Sequence, residues 1–143
     1  NLYGAVSDRF FDSSRISICC TQATEALSVG GAKKRIVRFA DIYSDIICMR
    51  MLERFDLESC IQQETAKLLS LDPVYRETAR AYIYSGGRVS ATADKLKVHK
   101  NTVLNRIDKI NELCHIDLTD NAAAFSVLQQ LMLIDTFKRA GGE

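Results

Sequence analysis

The chain has 143 residues, 47% of them hydrophobic and 26% charged, with a formal net charge of +1. That length holds one domain with a real core or two small ones, and the composition excludes a disordered or low-complexity chain. No apolar run approaches the roughly 20 residues of a membrane span and no basic-then-hydrophobic leader opens the chain, so a cytoplasmic protein is expected; the near-neutral total argues against a nonspecific polyanion binder.

The first residues, NLYGAVSDRFFDSSRIS, start without an obvious cap, and the chain is read as a fragment of a longer one. From Ser14 to Leu27, Ile16, Cys20, Ala23 and Leu27 recur at helical spacing. Ser13 or Ser14 is available as an N-cap, and Gly30-Gly31 lies beyond the end. RIVRFADIY predicts a short strand from Arg35 to Phe39. A helix from about Asp41 to Arg54 follows, with Ile42, Ile46, Met49 and Leu52 or Met51 on one side. A shorter helix is predicted from Asp56 to Leu69. At Asp72-Pro73 an N-cap precedes a proline whose missing N–H would have been unpaired anyway. The helix starting there should bury Tyr75, Ala79, Tyr82 and Ile83 and stop at Gly86-Gly87. Everything after Asp72 reads as helical, which puts a domain border near Ser70.

RVSATADKLKVHKNTVLNRIDKINEL then divides into a short helix, a tight connection and a longer helix. Ser90 can cap the first, whose inward residues would be Val89, Ala93 and Leu96. A small residue at Ala93 lets two crossing helices approach, Val98 plugs the turn, and Val103 and Ile107 give the second helix an inward stripe. Facing outward are Lys100, Asn101, Leu104, Asn105 and Asp108, with Thr102 and Arg106 at the flanks. Lys and Arg can satisfy phosphates or guanine edges, and Asn can pair bidentately with adenine. In a helix-turn-helix the N-terminal part of the second helix enters the major groove, which brings His99, Lys100, Asn101, Thr102 and Asn105 nearest the bases. Ser90 and Thr92 are placed to meet the phosphate backbone. Charge follows the motif: from Ser85 to Leu113 six basic residues (Arg88, Lys95, Lys97, Lys100, Arg106, Lys109) stand against three acidic ones (Asp94, Asp108, Glu112), a local +3 in a chain of +1.

SGGRVSATADKLKVHKNTVLNRIDKINELCHIDLTD resembles the C-terminal helix-turn-helix of the PucR and CdaR families of bacterial transcription regulators, with similarity from about Leu71 to Leu133. The shared pattern is a helix ending in a Gly-rich turn, then Ser90 to Leu96, Val98 to Thr102, Ile110 to Leu113 and Ile116 to Leu118. It closes on a final apolar helix repeating Phe125, Leu128, Leu131 and Met132. Family members often carry an aromatic and an extra arginine in the recognition helix where this chain has Leu104 and Asn105, which implies a different target sequence. The first half also looks like the end of the degenerate GGDEF-like domain that precedes this module in CdaR relatives. No Gly-Gly-Asp-Glu-Phe sequence occurs; the glycine pairs at Gly30, Gly86 and Gly141 continue differently.

Other chemistry is poorly supported. Cys19, Cys20, Cys48, Cys60 and Cys114 form no C-x-x-C pair and are odd in number, which fits reduced thiols. Cys114-His115 lacks a second ligand pair at zinc spacing, and Asp41 with Asp45 is a bare i, i+4 pair rather than a magnesium site. His99 and His115 accompany no nucleophile or phosphate-cradling motif. The expectation is therefore no enzyme, no catalytic residues, no metal and no cofactor.

The fold class expected is mainly α: a helix-turn-helix domain over 71–143, preceded over 1–70 by a partial α+β, GGDEF-like segment. The function expected is a sequence-specific, DNA-binding transcription regulator, acting as a homodimer on double-stranded DNA through the major groove. Its DNA-binding residues would be Ser90, Thr92, Lys97, His99, Lys100, Asn101, Thr102, Leu104, Asn105, Arg106 and Lys109. The resemblance implies a small-molecule effector sensed by an upstream domain. The competing reading is a helical protein-interaction or signalling module whose basic helix simply faces water.

Overall fold

A computed structural model of the protein describes residues 3–30 and 35–141. In chain order its elements are β1 (Gly4–Val6), α1 (Ile16–Gly30), β2 (Ile36–Arg38), α2 (Phe39–Leu52), α3 (Gln63–Ser70), α4 (Pro73–Tyr84), α5 (Val89–Leu96), α6 (Lys100–Cys114) and α7 (Asn121–Arg139). Single 3-10 turns occur at Ser13–Arg15 and Glu58–Cys60. The fold is mainly helical, as expected, and the sheet among the described residues is one pair of strands. No helix among these residues is long and apolar enough to cross a membrane.

Contacts divide the chain into two compact units, Asn1–Asp56 with Met132–Glu143, and Leu57–Leu131. The expected border lay near Ser70, but α3 packs with the later helices, and Leu68 is fully buried in their core.

In the first unit β1 and β2 pair in parallel, with Gly4 opposite Ile36 and Val6 opposite Arg38. Parallel neighbours need a crossover, which α1 supplies. Asp12 caps the turn before α1, accepting from the backbone N–H of Ser14 at 3.0 Å and from its hydroxyl at 2.6 Å. The cap is thus Asp12 rather than Ser13 or Ser14, and those two bonds hold its carboxyl below the usual aspartate range. Cys19 and Ala26 are the buried side chains of α1. At its end a Cβ on Gly30 would stand 2.7 Å from Val37 Cγ1, so the approach of α1 to β2 demands glycine. Strand β2 alternates as a half-buried strand should, Val37 inward and Ile36 and Arg38 outward. On α2 the buried positions are Ile46 and Cys48, with Ile42, Met49 and Leu52 half-buried and Met51 exposed. Arg50 bridges Glu25 on α1 and Glu53. Asp45, one of the acidic pair set aside as a magnesium site, takes both guanidinium arms of Arg139 at 2.8 and 2.7 Å.

In the second unit the helix expected from Asp56 to Leu69 is interrupted, because Ile61 and Gln62 adopt extended backbone. Gln62 is held there by Gln130: its N–H donates to Gln130 Oε1 at 2.7 Å, and Gln130 Nε2 donates back to Gln62 Oε1 at 3.0 Å. The two bonds satisfy the amides of Gln130, which is buried. Asp72 caps α4 through the N–H of Val74 at 2.9 Å with Pro73 in the first position, as its sequence predicts. Gly86 and Gly87, at φ 64° and 72°, turn the chain sharply out of α4. The core joins Leu68, Ala79, Tyr82, Ala93, Val103, Ile107, Ile110, Cys114, Ile116, Leu118, Val127 and Leu131, with Tyr75, Ile83, Val89 and Val98 packed against it. Asp120 caps α7 by accepting from the N–H of Ala123. The buried positions of α7 include Ala124, Val127 and Leu131, spaced by three and four residues; of the apolar repeat expected there Leu131 is buried, Leu128 and Met132 are half-buried, and Phe125 is 60% exposed.

Candidate nucleic-acid interface

The helix-turn-helix is α5, a three-residue connection and α6. Ala93 lies 3% exposed on α5 and packs in one core with Val103 and Ile107 of α6. Its carbonyl also accepts the N–H of Val98 at 3.1 Å, so the residue that allows close packing also anchors the turn. Lys97 ends α5 in the left-handed conformation, φ 55° and ψ 44°. A side chain with a Cβ is strained there by about 1 kcal/mol. His99 then returns to extended backbone and caps α6, its Nδ1 accepting the N–H of Asn101 at 3.2 Å. Serine, threonine, aspartate and asparagine lead at such positions because their side-chain oxygens accept an orphan amide, and the imidazole nitrogen does the same work here.

Along α6, Val103, Ile107, Ile110 and Cys114 form the buried stripe. On the other side Lys100, Asn101, Leu104, Asn105 and Lys109 are exposed, Leu104 by 45%. Lys97, His99 and Ser90 are exposed as well, and Thr102 is half-buried. Acidic residues on the exposed side of α6, Asp108 and Glu112, come only after Asn105. The face rich in donors is therefore the first part of the helix.

Three expected residues sit differently. Thr92 is fully buried and donates its hydroxyl to the Arg88 carbonyl at 2.9 Å, so it is a packing residue and not a phosphate contact. Its position next to Ala93 on the inward side of α5 was readable from helical phase. Ser90 does not cap α5; Arg88 is the N-cap and Ser90 follows one residue into the helix, where its hydroxyl remains exposed. Arg106 is half-buried, and its Nη1 donates to Thr78 Oγ1 of α4 at 3.2 Å. Thr78 is fully buried and itself donates to the Val74 carbonyl at 2.7 Å. Two lysines lie over rings of α4: Lys109 Nζ is 5.5 Å from the Tyr75 centroid and Lys95 Nζ 5.4 Å from that of Tyr84. Both contacts orient a flexible cation without burying it. Sequence reasoning gave no sign of these, nor of the inward turn of Arg106.

Among the described residues no three or more His, Cys, Asp or Glu are grouped to hold a metal ion. Cys114 is fully buried while His115 is exposed, so the adjacent pair does not converge. Burial pushes the Cys114 thiol up, which disfavours the thiolate a metal or nucleophilic role requires.

Comparison with known proteins agrees with this geometry. Residues 75–133 match the PucR C-terminal helix-turn-helix domain. The chain is similar to the uncharacterized protein YxkF of Bacillus subtilis, 30% identical over 90 residues that cover 61% of this chain and 30% of that protein. It is also similar to the transcriptional activator PmfR of Paenarthrobacter nicotinovorans, 25% identical over 120 residues that cover 82% of this chain and 25% of that protein. The chain thus spans a third or less of the length of these relatives.

Proposed function

We propose, from the premise that residues 75–133 are a PucR C-terminal helix-turn-helix domain, that the chain is the DNA-binding part of a cytoplasmic transcription regulator. The observation that carries the reading is the segregation on α5 and α6: an apolar stripe in the core and Lys97, His99, Lys100, Asn101 and Asn105 exposed together at the start of the second helix. In this reading α6 enters the major groove by its N-terminal turns, where the side-chain amides of Asn101 and Asn105 reach base edges. Lys97 and Lys109 meet phosphates, as does Ser90 at the start of α5. The similarity to a protein named as a transcriptional activator supports the regulatory part of the proposal.

One short helix covers only a few base pairs, so the proposal includes a homodimer that sets two copies of α6 about one helical turn apart on an inverted repeat. It includes a small-molecule effector sensed by a domain upstream, and a first segment derived from the end of a GGDEF-like domain. The parallel β-α-β arrangement of β1, α1 and β2 is in keeping with that origin.

The test is selection of bound sites from a random duplex pool, followed by rebinding of the enriched sequences at two salt concentrations. Displacement of phosphate counterions makes affinity fall steeply with salt. An enriched inverted repeat with that steep dependence is the expected result. No enrichment and no salt dependence would favour a helical protein-interaction module with α6 facing water.

A further inference from the structure

The side chains that α6 presents at the start of its outer face are Lys100, Asn101, Leu104 and Asn105. The helix has one arginine, and it is turned away: Arg106 donates to the buried Thr78 hydroxyl. That leaves the face without the planar guanidinium that best matches the two acceptors of a guanine edge. It keeps two primary amides one helical turn apart. An amide offers one acceptor and a donor group, which is the complement of adenine's N6 donor and N7 acceptor.

Leu104 lies beside these amides and is 45% exposed, with polar neighbours. An apolar side chain inside a polar contact surface forms no hydrogen bond, and burying it against base edges is favourable only where they present an apolar group. In the major groove that group is the 5-methyl of thymine. A single A·T pair, or two adjacent ones, supplies both an adenine edge for an amide and a methyl for the leucine.

Resting on the DNA-binding reading above, we infer that α6 recognises adenine–thymine pairs, with Asn101 and Asn105 on adenine edges and Leu104 against a thymine methyl. Lys100, a compact and flexible cation, then serves the phosphates rather than guanine.

The experiment uses the intact chain and the best duplex from a random-pool selection. Each thymine of that site is replaced in turn by uracil, which removes the methyl and keeps the pairing, and affinities are measured for the parent and for Leu104→Ala. At one or two positions uracil should weaken the parent about four-fold, the worth of one buried methyl, while Leu104→Ala binds both duplexes alike. A selected core of G·C pairs, or equal binding of thymine and uracil duplexes by the parent, overturns this inference and leaves DNA binding standing. Absence of salt-sensitive binding to any duplex overturns the DNA-binding reading and this inference with it. Unchanged circular dichroism of Leu104→Ala separates lost contact from lost fold.

Discussion

Arg106 on α6 donates a hydrogen bond to the hydroxyl of Thr78 on α4, 3.2 Å away, although its place in the sequence is among residues that face outward. The bond joins the second helix of the helix-turn-helix to the helix that precedes it. Arg106→Ala should therefore lower stability by about 1 kcal/mol, the usual worth of one such bond. The loss stays modest because the Thr78 hydroxyl keeps its bond to the Val74 carbonyl. Urea unfolding gives the stability, and site preference measured on the folded fraction should be unchanged; a changed preference would place Arg106 on the bases after all.

Asn105 behaves in the opposite way. Its side chain is exposed on α6 and has no part in the core. Asn105→Ala is expected to shift stability by less than about 0.5 kcal/mol and to lose about 1–3 kcal/mol of discrimination between the selected site and its single-base variants. Competition binding against a panel of such variants is the measurement, and undiminished discrimination would remove Asn105 from the reading face.

Lys97 combines strain with charge. At φ 55° glycine is more comfortable than any residue with a Cβ. Lys97→Gly should raise stability by about 0.5–1 kcal/mol, part of the relief being offset by glycine's freedom in the unfolded chain. It should weaken binding to all duplexes alike and reduce the salt slope by about one phosphate contact. Lys97→Ala should show the same loss of binding without the gain in stability. Thermal melts and salt titrations of the two variants, side by side, separate backbone from charge.

His99 should matter to the fold through its cap. His99→Ala removes the acceptor for the Asn101 N–H and is expected to cost about 1 kcal/mol. His99→Ser or His99→Asp supplies another acceptor at the same place and should restore most of that loss. Equal stability of the alanine and serine variants would show that water serves the amide as well as the imidazole does.

The Thr65 hydroxyl, on α3, is buried without a hydrogen-bond partner among the described residues. Valine has nearly the same shape and no polar atom to desolvate. Thr65→Val is expected to stabilise the protein by about 1 kcal/mol, read from the midpoint of denaturant unfolding. A destabilised variant would point to an ordered water on that oxygen.

Where local chemistry decides, the chain was legible. Asp72-Pro73 and Gly86-Gly87 bound α4 because a cap, a missing N–H and a positive φ are properties of single residues. The stripe through Val103 and Ile107 and the small Ala93 placed α5 against α6 for a similar reason. What stayed hidden depends on partners distant in sequence. Nothing near Gln62 says that it pairs with Gln130, and without that pairing the stretch from Asp56 to Leu69 reads as one helix. Arg106 looked outward because a long side chain at the edge of a helical face can swing either way, and Thr78 on another helix decides. Thr92 was misplaced by its chemistry, since a hydroxyl suggests phosphate, when its phase beside Ala93 already turned it inward.

The reciprocal amide bonds of Gln62 and Gln130 set an order of events on the ribosome. The N–H of Gln62, at the entrance to α3, waits for an acceptor 68 residues later in the chain. By then α4, α5 and α6 have all been synthesised. The long closure makes this a late contact in folding, since the two ends gain nothing until the whole intervening loop is drawn in. Helix α6 can thus take shape before its unit is sealed, and a nascent chain halted ahead of Gln130 leaves the first helix of that unit without its clasp.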